Sequence, residues 1–419
     1  MNSAKLMFLI SVVMIGLTYG CVNQTPETQL EDTVKPESAS EEYSVKISII
    51  MEKGGRVDWS HALNVIVFDK KGNDGYYEVY TMNPDGSDEY CLTCHIPGLS
   101  HNSGNPAWHP SGEWIVFQSV NTSLIPSYMD SQDVHAHTNP GAGWLNNLWA
   151  TDSKGEKFYQ LTDVGTKGGV LHPHFSHDGS KLLWAEKTEK TGDPGSTGGW
   201  ELKVADFVTE NGPVLENIKS FTPGKQQDFY ESHGFSPDDT KILFSSNLLK
   251  DQPLWGMDIY ELDLKTQALT PLTDTFYQWD EHAQYSPDGE KIVWMSSAGY
   301  DMNPLRTEFW IMDCNGSEKQ QLTFFNRRDH PHYMGKPIVA ADSSWGPDGK
   351  TIIAYIKTES AGLGSEGAIV MMELEENHST HRLQTISRYW NSLIHFLDSF
   401  ANDSNLPILY GNAVLYYPI

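Results

Sequence analysis

One pattern occurs six times in this chain and constrains its fold more than any other feature. It consists of an aromatic residue that ends one strand, a tight turn related to Ser-Pro-Asp-Gly, and a branched apolar run. Proline presets the backbone angle φ at the second turn position, aspartate bonds to its own backbone, and glycine accepts a positive φ. Each copy therefore predicts a β-hairpin. The copies occupy residues 57–68, 106–117, 173–184, 233–244, 283–294 and 343–354.

The spacing of these hairpins predicts a repeat array. Their turn positions, 60, 109, 176, 236, 286 and 346, lie 49 to 67 residues apart. Second hairpins lie between them, and most are followed by a short strand that contains Leu-Thr, as at Leu92-Thr93. Four strands per repeat form one propeller blade. Over residues 44–374 the sequence resembles the TolB-type propeller repeat family, also called PD40 or WD40-like, and the resemblance implies an all-β, six-bladed β-propeller.

A propeller needs closure, because an unpaired blade edge leaves free backbone donors and acceptors. The sixth repeat supplies three strands, and the apolar segment 43–50 before the first hairpin has no partner of its own. We expect segment 43–50 to pair with residues 368–374 and complete the sixth blade. The propeller domain is then predicted to span residues 43–375. Residues 376–419 form a C-terminal tail with one short amphipathic helix at 386–400.

The beginning of the chain predicts export. Lys5 is followed by twelve mostly apolar residues, which suits a signal peptide and is too short for a bilayer span. Residues 18–21 are similar to a lipoprotein cleavage box, although Leu17 lies one place further upstream than in that motif, so lipidation of Cys21 and ordinary cleavage near it are both open. We expect a signal peptide at 1–21, a disordered tether at 22–42, and a periplasmic or cell-surface location. TolB carries an α/β domain where this chain has the tether, so the resemblance does not extend to TolB itself or to its partners.

The charge of the chain limits the classes of partner. The chain has 55 acidic and 29 basic residues, a net charge of −26, and the acidic residues are spread over all repeats. This balance argues against nucleic acid or an anionic membrane surface as a partner. We expect a monomer that meets the membrane only through a lipid anchor.

Two cysteines form a Cys-x-x-Cys-His motif. Cys91, Cys94 and His95 have the spacing of a c-type haem attachment site. The motif also overlies the Leu-Thr segment that four repeats share, so the fold explains its middle residues. The sequence leaves haem attachment, a tight disulfide and structural thiols as alternatives.

Polar residues recur at the start of the innermost strand of each repeat, which borders the central channel. When the repeats are aligned on the turn position, histidines are concentrated in repeats three to six. Imidazoles and carboxylate or amide oxygens that converge on one axis can bind a divalent transition metal. The alternative is a solvated channel mouth without a ligand, in which the histidines form hydrogen bonds to water or to each other. The candidate metal ligands are His172, His174, His233, His282, His330 and His332. The candidate ligand-binding residues are Arg56, Asp58, Asn105, Glu231, Glu281, Gln284 and Asp342.

Two functions remain from the sequence. The first is binding, without catalysis, of a protein partner or of a small extracellular or carbohydrate ligand at this histidine-rich mouth. The second is a metal-dependent polysaccharide lyase or hydrolase at the same place. Oligogalacturonate lyases are propellers in which axial His and Gln residues hold a divalent metal that acidifies a uronate, and the resemblance here is one of residue type and blade position. The sequence contains no Gly-x-Ser-x-Gly elbow of a serine hydrolase.

Overall fold

A computed structural model of the chain describes residues 43–94, 96, 102–130, 134, 137–187, 199–224, 229–358 and 367–376. The predicted signal peptide, Cys21, the tether, His95 and the C-terminal helix lie outside these residues. Within them, no helix is long and apolar enough to cross a bilayer.

The described residues form six four-stranded antiparallel sheets, arranged as the blades of a propeller. This confirms the predicted all-β, six-bladed fold. Blade one contains β2 (Val57–Ser60), β3 (Val65–Lys71), β4 (Tyr77–Met82) and β5 (Tyr90–Cys91). Blade two contains β6 (Gly104–Trp108), β7 (Trp114–Val120), β8 (Asn146–Asp152) and β9 (Phe158–Gln160). Blade three contains β10 (Gly169–Phe175), β11 (Lys181–Lys187), β12 (Trp200–Val208) and β13 (Val214–Phe221).

The other three blades repeat this order. Blade four contains β14 (Tyr230–Phe235), β15 (Lys241–Ser246), β16 (Asp258–Asp263) and β17 (Leu269–Pro271). Blade five contains β18 (Asp280–Tyr285), β19 (Lys291–Ser296), β20 (Glu308–Asp313) and β21 (Gln320–Gln321). Blade six contains β22 (Ile338–Trp345), β23 (Thr351–Thr358), β24 (Gly367–Glu376) and β1 (Tyr43–Gly54). A short 3-10 helix spans Thr122–Leu124 in blade two.

The chain closes its ring with the N-terminal strand, as predicted. The strand order in blade six is β1-β24-β23-β22, so the first strand of the chain lies outermost and next to the last one. Lys46 Nζ lies 2.7 Å from Glu373 Oε1 across this pair. The pair is exposed and contributes little stability, so the backbone ladder and the buried apolar side chains hold the closure.

The predicted turns form with the expected chemistry. In blade four, Ser236 Oγ donates to Asp238 Oδ1 at 2.6 Å and accepts from the backbone N–H of Lys241 at 3.0 Å. Gly289 takes a φ of +74° at the corresponding turn of blade five, where a side chain is disfavoured. Blade four has Asp239 there instead, with a φ of +57°. Aspartate tolerates this left-handed conformation better than most residues, so the hairpin survives the change.

The core lies between neighbouring blades. One apolar cluster joins Leu183 and Leu202 of blade three to Phe235 and Phe244 of blade four. Neighbouring blades cover both faces of the inner strands. This explains why the inner hairpins contain continuous runs of branched apolar residues instead of an alternating pattern. The Leu-Thr segments differ from the prediction in one detail. They lie directly after the outermost strands of blades one, two, four and five, with Leu92 and Thr93 buried, and thus fasten these outer edges to the core.

Candidate functional site

A β-bulge recurs within the inner strands. In blades two to six the register of the innermost strand shifts shortly before the turn, as it does between Glu281 and Gln284. Asn105, His172 and His282 lie at these bulges with φ values of +47°, +50° and +56°. Bulges re-aim side chains, and non-glycine residues with positive φ are concentrated at functional sites. The bulges therefore mark this layer of the channel as a candidate site.

Two histidines and one carboxylate from three blades form a compact cluster. His172 Nε2 lies 3.0 Å from Glu231 Oε1, and His282 Nδ1 lies 3.8 Å from the same oxygen. One nitrogen or oxygen from each residue falls within 4.8 Å of the others, and among the described residues this is the group that could hold a metal. Two imidazoles and a carboxylate are a donor set that zinc and related ions accept. Tetrahedral bonds of about 2.1 Å place donors about 3.4 Å apart, so small adjustments of the side chains would bring the three donors to that spacing.

Asp342 and Arg56 complete the polar ring around this cluster. Asp342 Oδ1 lies 3.3 Å from His282 Nδ1 and 3.6 Å from His172 Nδ1. Asp342 therefore flanks both imidazoles of the cluster, although it is not one of the three residues whose donor atoms converge. The buried Arg56 guanidinium lies 3.5 Å from Asp69 Oδ2, and its pKa is raised because Asp69 and Asp342 outweigh the cost of burial. Arg56 thus brings a fixed positive charge to the ring.

Burial and mutual contact set the protonation of the cluster. Burial by itself raises the pKa of Glu231, but His172 and His282 hold it well below its usual value. Burial and the ionised Glu231 together raise the pKa of Glu281 well above its usual value. Burial by itself lowers the pKa of His172, yet Glu231 and Asp342 prevail and raise it. The cluster therefore favours an ionised Glu231 next to a Glu281 that holds its proton to higher pH than usual, and a metal would compete with the proton on His172.

His233 and His174 lie further along the channel and stay neutral. Burial lowers the pKa of His233 well below its usual value, and its Nε2 lies 2.6 Å from Ser245 Oγ. Burial, with the nearby His172, lowers the pKa of His174 to about 3. Its buried Nε2 has no hydrogen-bond partner within the described part of the chain. Of the predicted metal ligands, only His172 and His282 belong to the compact cluster.

Three of the predicted ligand-binding residues bond within or between blades. Asp58 Oδ2 accepts from the backbone N–H of Trp108 at 2.7 Å, which joins blades one and two. Asn105 Nδ2 donates to the carbonyl of Pro140 at 2.8 Å. Gln284 Nε2 donates to a backbone carbonyl of β14 at 2.8 Å, which joins blades four and five. These contacts give the three residues a structural role, and their contact with a ligand stays a prediction.

The expectation that His330 and His332 share the layer of the other histidines is wrong. Their rings lie 4.4 Å apart, and the ring of His330 lies 4.4 Å from that of Phe324. His332 Nε2 lies 2.9 Å from the carbonyl oxygen of Val45 in β1, the outermost strand of blade six. The segment between β21 and β22 thus packs against the outer edge of the blade before it turns inward, which sequence spacing does not reveal.

A cavity of about 430 Å³ lies at the end of the channel where the cluster is found. Arg56, His172, Glu231, His282 and Asp342 line it on the polar side. The rest of its wall is mostly apolar and includes Phe229, Leu254, Trp255, Met257, Trp279, Met295, Met302 and Tyr355, together with Lys357. A concave apolar wall beside a few convergent polar groups is typical of small-molecule sites.

Sequence reasoning missed the wall of this cavity. Lys357 and Tyr355 lie on β23, the second strand of blade six, and Trp255 lies in a loop of blade four with 55% of its surface exposed. Burial first, and then the charge of Arg56, lower the pKa of Lys357 to about 8. The signal in the sequence is a lysine that directly follows the apolar run Ile352–Ile356 on the same strand.

The other end of the inner strands forms a second mouth, with a cavity of about 370 Å³. A narrow section of about 40 Å³, lined in part by His174 and His233, lies between the two ends. The aromatic residue that precedes each turn lines the second mouth in all six blades: Trp59, Trp108, Phe175, Phe235, Tyr285 and Trp345. These rings belong to the packing between blades, so the second mouth follows from the fold.

Cys91 and Cys94 form a disulfide, one of the alternatives that the sequence left open. In this state neither sulfur is a free thiol that could attach a haem. The histidine of the motif lies outside the described residues.

Comparisons with known proteins agree with a propeller and do not identify a family. No protein-family model matches the chain. The chain is 22% identical over 299 residues to dipeptidyl-peptidase 5 of Porphyromonas gingivalis, and 23% identical over 316 residues to that of Porphyromonas endodontalis. These matches cover 68% and 71% of this chain but only 42% and 43% of the relatives, so the chain spans less than half of their length.

Two solved structures illustrate the likeness in fold. One is described as a TolB from Agrobacterium tumefaciens, with 15% identity, a TM-score of 0.49, and coverage of 80% of this chain and 99% of that one. The other is an oligogalacturonate lyase in complex with manganese, with 12% identity, a TM-score of 0.43, and coverage of 80% and 97%.

Proposed function

We propose that the protein is a binding propeller that takes a small anionic extracellular ligand in the mouth cavity, with a divalent transition metal at its base. The observation that carries the proposal is the buried cluster of His172, Glu231 and His282 at one side of a cavity of about 430 Å³. Small-molecule sites commonly have volumes of about 300–1,000 Å³. A cavity of this size favours a small ligand over a protein surface.

The charges around the cavity favour an anionic ligand. Glu231 and Asp342 carry two negative charges, which a divalent ion would neutralise. Asp69 already pairs with Arg56, so Lys357 then leaves the loaded site with an excess of positive charge. A carboxylate that coordinates the metal and pairs with Arg56 would satisfy both. The apolar wall, which includes Trp255 and Tyr355, would cover the body of the ligand.

Metal binding is the first test of this function. Purified protein is stripped with a chelator and titrated with zinc, manganese or nickel, and metal content and melting temperature are measured. We expect His172→Ala and His282→Ala to weaken binding by more than about 100-fold, because losing even a supporting partner of a ligand costs about 10- to 100-fold. His177→Ala is the matched control, since His177 pairs with Asp239 and is not part of the cluster. Wild-type protein that binds none of these ions would refute the metal site.

The enzymatic alternative is a metal-dependent lyase or hydrolase of uronate-containing polysaccharides. The lowered pKa of Lys357, about 8, favours it, because an amine that is partly neutral near physiological pH can act as a general base. The metal and Arg56 would hold the uronate carboxylate and acidify the neighbouring carbon. In this function the same cavity is the active site.

The two functions differ in what happens to uronate oligosaccharides. For the enzyme we expect turnover that rises with pH through about 8. Lys357→Arg keeps the charge but cannot act as a base at this pH, so it should abolish turnover while metal binding persists. For the binding function the oligosaccharide stays intact, and both wild type and Lys357→Arg bind it.

Export and lipid anchoring belong to the same proposal and rest on the sequence of residues 1–42. A mature protein that starts at Cys21 would incorporate labelled fatty acid and fractionate with membranes. The Cys21→Ala variant should lose the label and appear in the soluble fraction. Wild-type protein that is exported without the label would show ordinary cleavage instead.

A further inference from the structure

Cys91 and Cys94 flank the Leu-Thr segment of blade one. Other blades form the same segment without cysteine. In blade one, the buried Thr93 hydroxyl accepts from the backbone N–H of Val79 at 2.9 Å and donates to Glu78. Blades two, four and five repeat this fastening with a threonine at the same place. The backbone N–H donors there are those of Leu148, Ile259 and Phe309, at 2.8, 2.9 and 2.9 Å from Thr162, Thr273 and Thr323.

These blades show that the fold does not require the disulfide. The residues that flank Leu-Thr are Gln160 and Asp163 in blade two, and Pro271 and Asp274 in blade four. Their threonines nevertheless make the same contacts. The disulfide also joins residues only three positions apart. Because the stabilisation by a cross-link grows with the length of the loop that it closes, this disulfide restrains the unfolded chain very little.

The surroundings of the two sulfurs differ in a way that suits exchange chemistry. The backbone N–H of Cys94 donates to Cys91 Sγ at 3.1 Å, and such a donor stabilises a thiolate on Cys91. Cys94 Sγ lies 3.4 Å from the Tyr80 hydroxyl, and the partly buried Cys94 is one of the residues that line an open groove of about 1,050 Å³. Basic and acidic residues line the same groove: Lys53, Lys70, Lys71, Glu52, Asp74, Glu78 and Glu89. An external thiolate thus has access to Cys94, and Cys91 is the better leaving group.

We propose that Cys91 and Cys94 form a thiol–disulfide exchange site on the outer strand of blade one. An external thiolate attacks Cys94 Sγ, the Cys91–Cys94 bond breaks, and the electron pair goes to Cys91 Sγ, which leaves as a thiolate. A second external thiolate then attacks the sulfur of the first external thiol, which is bonded to Cys94 in the mixed disulfide. This step releases Cys94 as a thiolate and forms a disulfide between the two external thiols. The protein disulfide is reduced to a dithiol and two external thiols are oxidised to a disulfide. The co-reactant is a small thiol or the Cys-x-x-Cys dithiol of a partner protein.

The exchange is tested on the folded, full-length protein with reduced and oxidised glutathione. Samples are quenched by alkylation, and the peptide that contains both cysteines is followed by mass spectrometry, so that the other cysteines do not interfere. We expect wild type to interconvert between disulfide and dithiol at temperatures well below its melting temperature. Cys91→Ser should accumulate a mixed disulfide between Cys94 and glutathione, because its resolving thiolate is missing. A disulfide that opens only when the protein melts would overturn the proposal.

The asymmetry between the sulfurs has its own readout. Cys94→Ser keeps the backbone N–H at position 94, so Cys91 should retain its stabilised thiolate and react with iodoacetamide at pH 7 about tenfold faster than a model cysteine, whose pKa is about 8.5. The double variant Cys91→Ser/Cys94→Ser should keep the Thr93 contacts and melt close to wild type. A Cys91 no more reactive than the model cysteine, or a double variant that fails to fold, would contradict the proposal and indicate a structural cross-link.

Discussion

Replacing Glu281 with glutamine should stabilise the folded protein at neutral pH. The buried carboxyl of Glu281 stays protonated in the folded state because burial and the ionised Glu231 raise its pKa well above 4.5. In the unfolded chain the same carboxyl ionises near 4.5. Between these two values the folded state binds one proton more than the unfolded state, so the free energy of unfolding falls as pH rises. Glutamine mimics the protonated acid and does not titrate, so it removes this loss.

The size of the effect follows from linkage. Each pH unit between 4.5 and the folded-state pKa changes the relative stability of wild type and Glu281→Gln by about 1.4 kcal/mol. The unfolding entropy is about 2.1 cal/mol/K per residue, so for a domain of about 330 residues each such pH unit corresponds to about 2 °C in melting temperature.

The assay is a series of melting curves between pH 4.5 and 8 in the presence of a chelator. The curves of wild type and Glu281→Gln should converge near pH 4.5 and separate as pH rises. Glu231→Gln is the opposing control, because it removes the ionised acceptor that pairs with His172 at 3.0 Å and should destabilise the protein at neutral pH. Parallel curves for wild type and Glu281→Gln would refute the protonated state of Glu281.

Three further outcomes are expected. Deleting residues 22–42 should leave the melting temperature nearly unchanged, whereas deleting 22–50 removes most of β1 and should give aggregates by size-exclusion chromatography; a stable monomer would contradict ring closure. Thr273→Val should lower the free energy of unfolding by about 1–3 kcal/mol in denaturant melts, because Asp258 and a backbone N–H lose a buried partner. Metal affinity, measured by competition with a chelator, should weaken as pH falls, starting above 6.5 because the pKa of His172 is raised; pH-independent affinity would contradict a histidine ligand.

The fold could be predicted because its information is local and repeated. Each hairpin contains the turn residues that define it. Segment 43–50 has no partner in the first repeat, and the sixth repeat lacks its fourth strand, so the two are expected to pair. Part of the site could be predicted for the same reason, since aligned positions in different blades meet at one axis. His172, His282 and Asp342 occupy one column of the repeat alignment and lie together in the structure.

The rest of the site depends on geometry that no repeat position encodes. Lys357 reaches the cavity from the second strand of its blade, and Trp255 reaches it from a loop. His330 lies in a loop that is long enough to reach either the channel or the outer edge of the blade. The spacing in the sequence could not distinguish these two positions. Only the path of the segment between β21 and β22 shows that it packs outward, against Phe324.

The energetics of the cluster support the proposed binding site. Ionised groups buried without full compensation cost several kcal/mol, and well-packed apolar residues would often replace them without loss of stability. Four blades bring Glu231, Glu281, His172, His282 and Asp342 into one layer, and two of these positions also adopt positive φ. Blade packing needs none of this, because the apolar clusters already join neighbouring blades. A ligand that removes the charge imbalance would recover the cost on binding, and a divalent ion at His172, Glu231 and His282 has the charge and the donor preference to do so.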